Sequence, residues 1–220
     1  MKLESEKSGV RTRARSLPMF PLGAVLFPHM LLPLHIFEPR YRALTRDCLA
    51  GDRCFGIVLI GRGEEVGGRN RRFSLGTIAH IRQAQPLDDG RWILLAIGAR
   101  RIRVLHWLPE HPYPRAEVQE IEDPPLGADA EDLARETLRV LRRVNVLRYE
   151  LGLDDAPFMG ELSSDPIRAS YEAAAIARLG SLDAQRLLEL PSAESRLKAL
   201  SALLGEEART LEQRLADGLG

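Results

Sequence analysis

The sequence is poor in aromatic residues, with only 5% Phe, Trp and Tyr, so any core must be built from Leu, Ile, Val and Ala. It carries no excess charge: 31 basic residues balance 31 acidic ones. A protein devoted to nucleic-acid phosphates usually shows a basic surplus, so nucleic acid is not the expected partner, although a local patch stays open. Lysine is almost absent, occurring at Lys2, Lys7 and Lys198. The two cysteines, Cys48 and Cys54, form neither a CxxC pair nor a Cys/His cluster. That spacing argues against structural zinc and for reduced thiols in a cytoplasmic setting. No apolar run approaches the ~20 residues of a membrane-spanning helix, and the polar start MKLESEKSGVRTRARS lacks the apolar centre of a secretory signal. No membrane partner and no cofactor are expected.

What is present divides into a strand-rich part and a helical part, an α+β chain. Residues 1–16 read as a polar, flexible tail and residues 17–123 as a β-barrel domain. Residues 124–129, which include Pro124-Pro125, read as a linker, and 130–220 as a helical domain. Within the first part, LPMFPLGAVLFPHMLLPLHIF is broken by Pro18, Pro21, Pro28 and Pro33. Proline cannot donate to a central ladder, so this stretch predicts short strands and turns at a sheet edge. Glu38-Pro39 then predicts a helix start, with Tyr41, Leu44, Thr45, Cys48 and Leu49 on one face and Gly51-Asp52 at its end. CFGIVLI predicts a buried strand, GRGEEVGGRNRR a polar surface loop, and Asp88-Asp89-Gly90 a hairpin turn. Gly98, inside an apolar run, predicts a bulge or corner where the sheet bends toward closure. Helices are expected over 130–151, 165–179, 183–189 and 193–216. Asp165 and Ser192 are the expected caps, Gly180 a stop, and the stripe Leu197, Leu200, Leu204, Ala208, Leu211, Leu215 a packing face.

The usual catalytic signatures are missing. A P-loop needs Gly-Lys-Ser/Thr, and Lys198 has no preceding glycine turn. Gly61-Arg62-Gly63-Glu64-Glu65-Val66-Gly67 misses the dinucleotide spacing by one residue, and its paired glutamates would repel a pyrophosphate. There is no Gly-x-Ser-x-Gly elbow, and His106 and His111 lie five apart where HExxH requires four. No catalytic residue and no metal ligand set can be named.

The stretch LPMFPLGAVLFPHMLLPLHIFEPRYRAL resembles the start of the N-terminal domain of the ATP-dependent protease Lon. Its elements are a Pro-Leu strand, a Phe-Pro turn, a Leu-Pro-Leu strand and an Ile-Phe-Glu-Pro-Arg-Tyr-Arg helix start. FSLGTIAHI and DDGRWILLAIGARRIRVL are similar to later segments of that domain, and LPSAESRL resembles the start of its last helix. The resemblance implies a PUA-like β-pseudo-barrel carrying a helical bundle, a region that in Lon recognises unfolded or tagged polypeptides. It also implies no peptidase activity here, because the ATPase module and the Ser–Lys dyad of Lon are missing from this sequence.

A non-catalytic polypeptide-binding module is therefore expected, with Phe27, Met30, Leu31, Phe37 and Tyr41 as apolar contacts. Core packing is the competing reading for each of them. Arg40 and Arg42 are expected to steer carboxylates, and Glu38 to pair with Arg42. Two alternatives stay open. An adaptor for a separate AAA+ protease is not separable from the first reading. An RNA- or small-molecule-binding barrel would use Arg69, Arg71, Arg72, Arg100, Arg101 and Arg103, provided these converge on one surface. Monomer and dimer are both compatible with the sequence.

Overall fold

The computed structural model describes residues 14–61 and 71–218. Six strands and five helices follow one another as β1 (Arg15–Leu22), β2 (Leu31–Ile36), α1 (Pro39–Ala50), β3 (Cys54–Gly61), β4 (Arg71–Pro86), β5 (Trp92–Leu108), β6 (Arg115–Ile121), α2 (Ala130–Glu150), α3 (Pro166–Ile176), α4 (Ser181–Glu189) and α5 (Ala193–Ala216). The sheet order is β2-β5-β4-β3-β1-β6, and β6 also pairs with β5, so five strands close a ring and β2 is left outside it. Closure is possible because β5 is long: residues 92–97 pair with β2 and residues 101–108 with β6. Between them the register against β4 shifts by one residue after Gly98, which puts the bend at the glycine the sequence singles out.

Some expectations need correction. The prolines of the first strand do not mark an edge, since β1 is interior. Its first half pairs with β6 over Arg15–Pro18 and its second half with β3 over Met19–Leu22. Pro18 and Pro21 each fall where only one side of the strand is laddered, so their missing N–H groups are tolerated. The strand also begins at Arg15, before the expected limit of the tail. In the helical part, α3 stops earlier than expected: Arg178, in the left-handed region at φ 53°, turns the chain, and Gly180 is the N-cap of α4.

The other local signals stand as read. Asp165 accepts from Ile167 N at 3.0 Å, and Ser192 forms a capping box with Ser195. The Gly90 turn closes with Leu87 N donating to Arg91 O at 2.9 Å. The leucine stripe of α5 is buried from Leu197 to Leu211 and packs mainly against α2, so it is interior. The segment 62–70 lies outside the described residues, as does most of the tail. No helix among the described residues is long and apolar enough to cross a membrane.

The strand and helical parts share a core. Phe27 and Leu75 belong to the apolar cluster of Leu141, Val144, Tyr171 and Leu200. Beside it lies a buried polar node. Asp123 Oδ1 accepts from Arg196 Nη2 at 2.6 Å and from Arg101 Nη2 at 3.2 Å, and its Oδ2 accepts from the Tyr171 hydroxyl at 2.7 Å. Arg101 also donates to the carbonyls of Leu188 and Leu190 at the end of α4, where the helix dipole favours a cation. The Arg196 guanidinium stacks 4.0 Å from the Tyr171 ring. Burial raises the Tyr171 hydroxyl pKa above its ordinary value.

Candidate functional site

The edge strand β2 is placed by a turn and a glycine. Met30 N donates to Phe27 O at 3.2 Å, closing a turn with Pro28 second and His29 third at φ 67°. Proline followed by a residue of positive φ is the pattern of a type II turn. That turn rests on β5: His29 N donates to Gly98 O at 2.8 Å, and Gly98 N donates to Met30 O at 2.9 Å. A Cβ at position 98 would overlap the Phe27 carbonyl, so only glycine lets the turn come this close.

From there β2 runs antiparallel to β5 with Leu31 opposite Ile97, Pro33 opposite Leu95 and His35 opposite Ile93. Its exposure alternates, with Leu31, Pro33 and His35 outward and Ile36 buried. The outward face is apolar: Leu31 is 60% exposed, Phe37 62% and Ile93 47%. Phe37 lies edge-on to His35, with ring centroids 6.3 Å apart. Two hollows of about 420 Å³ each lie along the strand. The first runs between residues 23–32 and α3, lined by Val25, Met30, Leu31, Ala174, Ala175 and Leu179. The second is lined by Pro33, Leu34, His35, Leu87, Arg91 and Ile93.

The six residues named from the sequence separate into two groups. Leu31 and Phe37 are exposed and Met30 lines the first hollow. Phe27 is buried against Tyr171, with ring centroids 6.3 Å apart. Tyr41 is buried with its ring 4.2 Å from that of Phe20. Both therefore sit in the core, Phe27 in the cluster shared with the helices and Tyr41 in that of the strand ring. Arg40 is exposed, lies 4.7 Å from the Tyr41 ring centroid and donates to Glu38 at 2.8 Å. Glu38 therefore pairs with Arg40 and not with Arg42, whose guanidinium lies against the Gly90 turn. Ile93 was not singled out by sequence; its signal is that WILLAI has no polar alternation, which reads as burial on both faces.

Of the arginines of the alternative reading, Arg101 and Arg103 line one hollow, beside the acidic Glu122, Asp123 and Glu189, and others are engaged with separate carboxylates. Arg72 pairs with Glu110 at 2.6 Å and stacks on Trp107, and Arg100 pairs with Glu120 at 3.0 Å. Arg101 is buried in the Asp123 node, while Arg103, two residues along the same strand face, is exposed. The α4–α5 connection covers one and leaves the other. Arg69 and the Arg71 side chain lie outside the described residues. No three His, Cys, Asp or Glu side chains among the described residues gather as a metal site.

A strand ring with a free apolar edge, carrying five helices in an α+β arrangement, defines the class of the molecule. The sequence matches the family described as the ATP-dependent protease La (LON) substrate-binding domain over residues 16–206. The chain belongs to that family. It is 32% identical over 203 residues to Lon protease 2 of Herpetosiphon aurantiacus, a match covering 89% of this chain and 24% of the relative. It is 30% identical over 140 residues to a LON peptidase N-terminal domain and RING finger protein of Schizosaccharomyces pombe, covering 57% and 29%. The chain thus spans about a quarter of the length of the Lon proteases it matches. Among solved structures, the Lon N-terminal domain protein from Xanthomonas campestris superposes with a TM-score of 0.62 at 28% identity, covering 86% of this chain and 98% of that one. The N-terminal domain of the Mycobacterium avium complex Lon protease gives 0.64 at 20% identity, a likeness of fold.

Proposed function

We propose that this protein is a non-catalytic module that recognises unfolded or tagged polypeptide segments. The observation that carries the reading is the exposed hydrocarbon of Leu31, Phe37 and Ile93 along an edge strand. Large apolar side chains exposed together along one strand mark an interaction site more often than singly scattered ones do. Met30 supplies an adaptable side chain in the adjoining hollow, and Arg40, three residues beyond Phe37, an exposed cation paired with Glu38. Phe27 and Tyr41 act from below by fixing the turn and α1.

The family match supports polypeptide binding, and the closed strand ring with its packed helices supports a PUA-like pseudo-barrel joined to a helical bundle, with parts near 17–123 and 130–220. An adaptor role toward a separate AAA+ protease and a cytoplasmic location, where Cys48 and Cys54 stay as free thiols, complete the proposal.

The test is fluorescence anisotropy with a permanently unfolded polypeptide and with single-stranded RNA, each at two salt concentrations. Micromolar binding to the polypeptide, little changed by salt, is expected, and the double variant L31S/F37S should weaken it about tenfold, as loss of two apolar anchors requires. Binding to RNA alone, falling steeply with salt, would sink the reading.

A further inference from the structure

The free edge of β2 has a hydrogen-bonding pattern that the ladder geometry determines. Gly98 N donates to Met30 O, so that carbonyl points at β5. In a trans peptide the next N–H, that of Leu31, points the opposite way. Strand alternation then turns the N–H and C=O groups of Leu31, Pro33 and His35 away from β5, while those of Leu32, Leu34 and Ile36 face it. Pro33 accordingly takes no bond from the β2–β5 ladder. The outer edge offers donors at Leu31 and His35 and acceptors at Leu31, Pro33 and His35, and none has a strand partner among the described residues.

We infer that the polypeptide segment binds as an added antiparallel β-strand on this edge, in extended form, with apolar side chains at alternate positions. This rests on the polypeptide-recognition reading and specifies the class of segment taken. In antiparallel pairing the residues of an added strand that hydrogen-bond to Leu31, Pro33 and His35 stand directly opposite them and place their own side chains on the same face as Leu31 and Ile93. Apolar residues there extend the exposed hydrocarbon surface. A residue other than proline must stand opposite Pro33, because only its N–H can serve the Pro33 carbonyl.

Two features of β2 favour a polypeptide segment as the occupant of its edge. Pro33 withdraws one donor from the edge, a guard against indiscriminate pairing, while the exposed Leu31 and Ile93 give an apolar segment a surface to cover. A second copy of the chain is a poor occupant: antiparallel pairing in full overlap would set Pro33 against Pro33, two carbonyls with no donor between them.

The probe is a capped, fluorophore-labelled peptide of about eight residues alternating Leu and Ser, enough to span the six-residue strand. Two further versions carry N-methyl groups, one on the Leu amides and one on the Ser amides. Antiparallel addition with Leu on the Leu31 face directs the Leu amides at β2, so methylating them should weaken binding about tenfold while methylating the Ser amides changes it less than about twofold. On binding, hydrogen exchange at the Leu31 and His35 amides should slow, with Leu32 and Leu34 slow already. If both methylated peptides bind alike while L31S/F37S still weakens binding, strand addition is overturned and polypeptide recognition stands. If neither peptide nor unfolded polypeptide binds, both fail. A dimer in sedimentation that protects Leu31 and His35 without peptide would also overturn the proposal, making a second copy the occupant.

Discussion

The Asp123 node and the β2 edge depart from the usual rule of burial in opposite directions. At the node, two guanidiniums and a carboxylate lie inside the molecule, where Arg101 is 2% exposed and Arg196 1%. At the edge, large apolar side chains face water. The charges are hydrogen-bonded on nearly every side by one another and by the carbonyls of Leu188, Leu190 and Pro191, which is what permits their burial. The edge has nothing comparable: its hydrocarbon stays largely exposed, and its outward backbone groups have no strand partner among the described residues. A departure satisfied internally holds the strand and helical parts together. One left unsatisfied is available for binding.

The sharpest way to break the comparison is Asp123→Ala. It leaves two buried guanidiniums sharing only neutral acceptors, and breaking such a pair from one side typically costs about 3–5 kcal/mol. Urea unfolding should show that loss, and a loss below about 1 kcal/mol would mean the node is not what joins the two parts. Gly98→Ala comes next. Its Cβ must displace the Phe27 carbonyl, an overpacking expected to cost about 1–3 kcal/mol, and because the turn before β2 moves, polypeptide binding should fall as well. L31S/F37S should do the reverse, changing stability by less than about 0.5 kcal/mol while binding falls. A large stability loss there would show that the face is core after all.

The same contrast explains what could be read from the sequence. Helix spans, the Asp165 and Ser192 caps, the Gly90 turn and the bend at Gly98 rest on residues within a few positions of each other, so local chemistry reveals them. The interior place of β1 does not: its prolines are tolerated because β6 and β3 pair with different halves of it, a stagger no local pattern encodes. The burial of Arg101 is equally hidden, since alternation puts it on the same face as Arg103 and only the α4–α5 connection distinguishes them. At the site, Leu31 and Phe37 were legible as apolar residues beside prolines. Whether each apolar residue faced water depended on which strand lay beside it, which is why Phe27 and Tyr41 read alike with them.

The smallest effect lies in the buried face of α1, in the apolar cluster that also holds Ile36 of β2. Cys48 is 3% exposed and donates to Cys54 O at 3.3 Å. Burial, with a smaller push from Asp52, raises its thiol from 9.0 to about 12. The folded chain thus keeps the thiol neutral where the unfolded chain ionises it. The resulting stability is whole below pH 9 and is lost as pH rises from 9 toward 12, because ionisation favours the unfolded state throughout that window. Tyr113, also pushed up to about 12 by burial and by its hydrogen bond to Asp47, adds to the same alkaline decline. Comparing Cys48→Ala with the parent cancels the Tyr113 contribution. The parent should lose about 1 kcal/mol more than the variant between pH 8 and 10 in urea unfolding. Parallel profiles would mean that Cys48 ionises in the folded state, and that water reaches the buried face of α1.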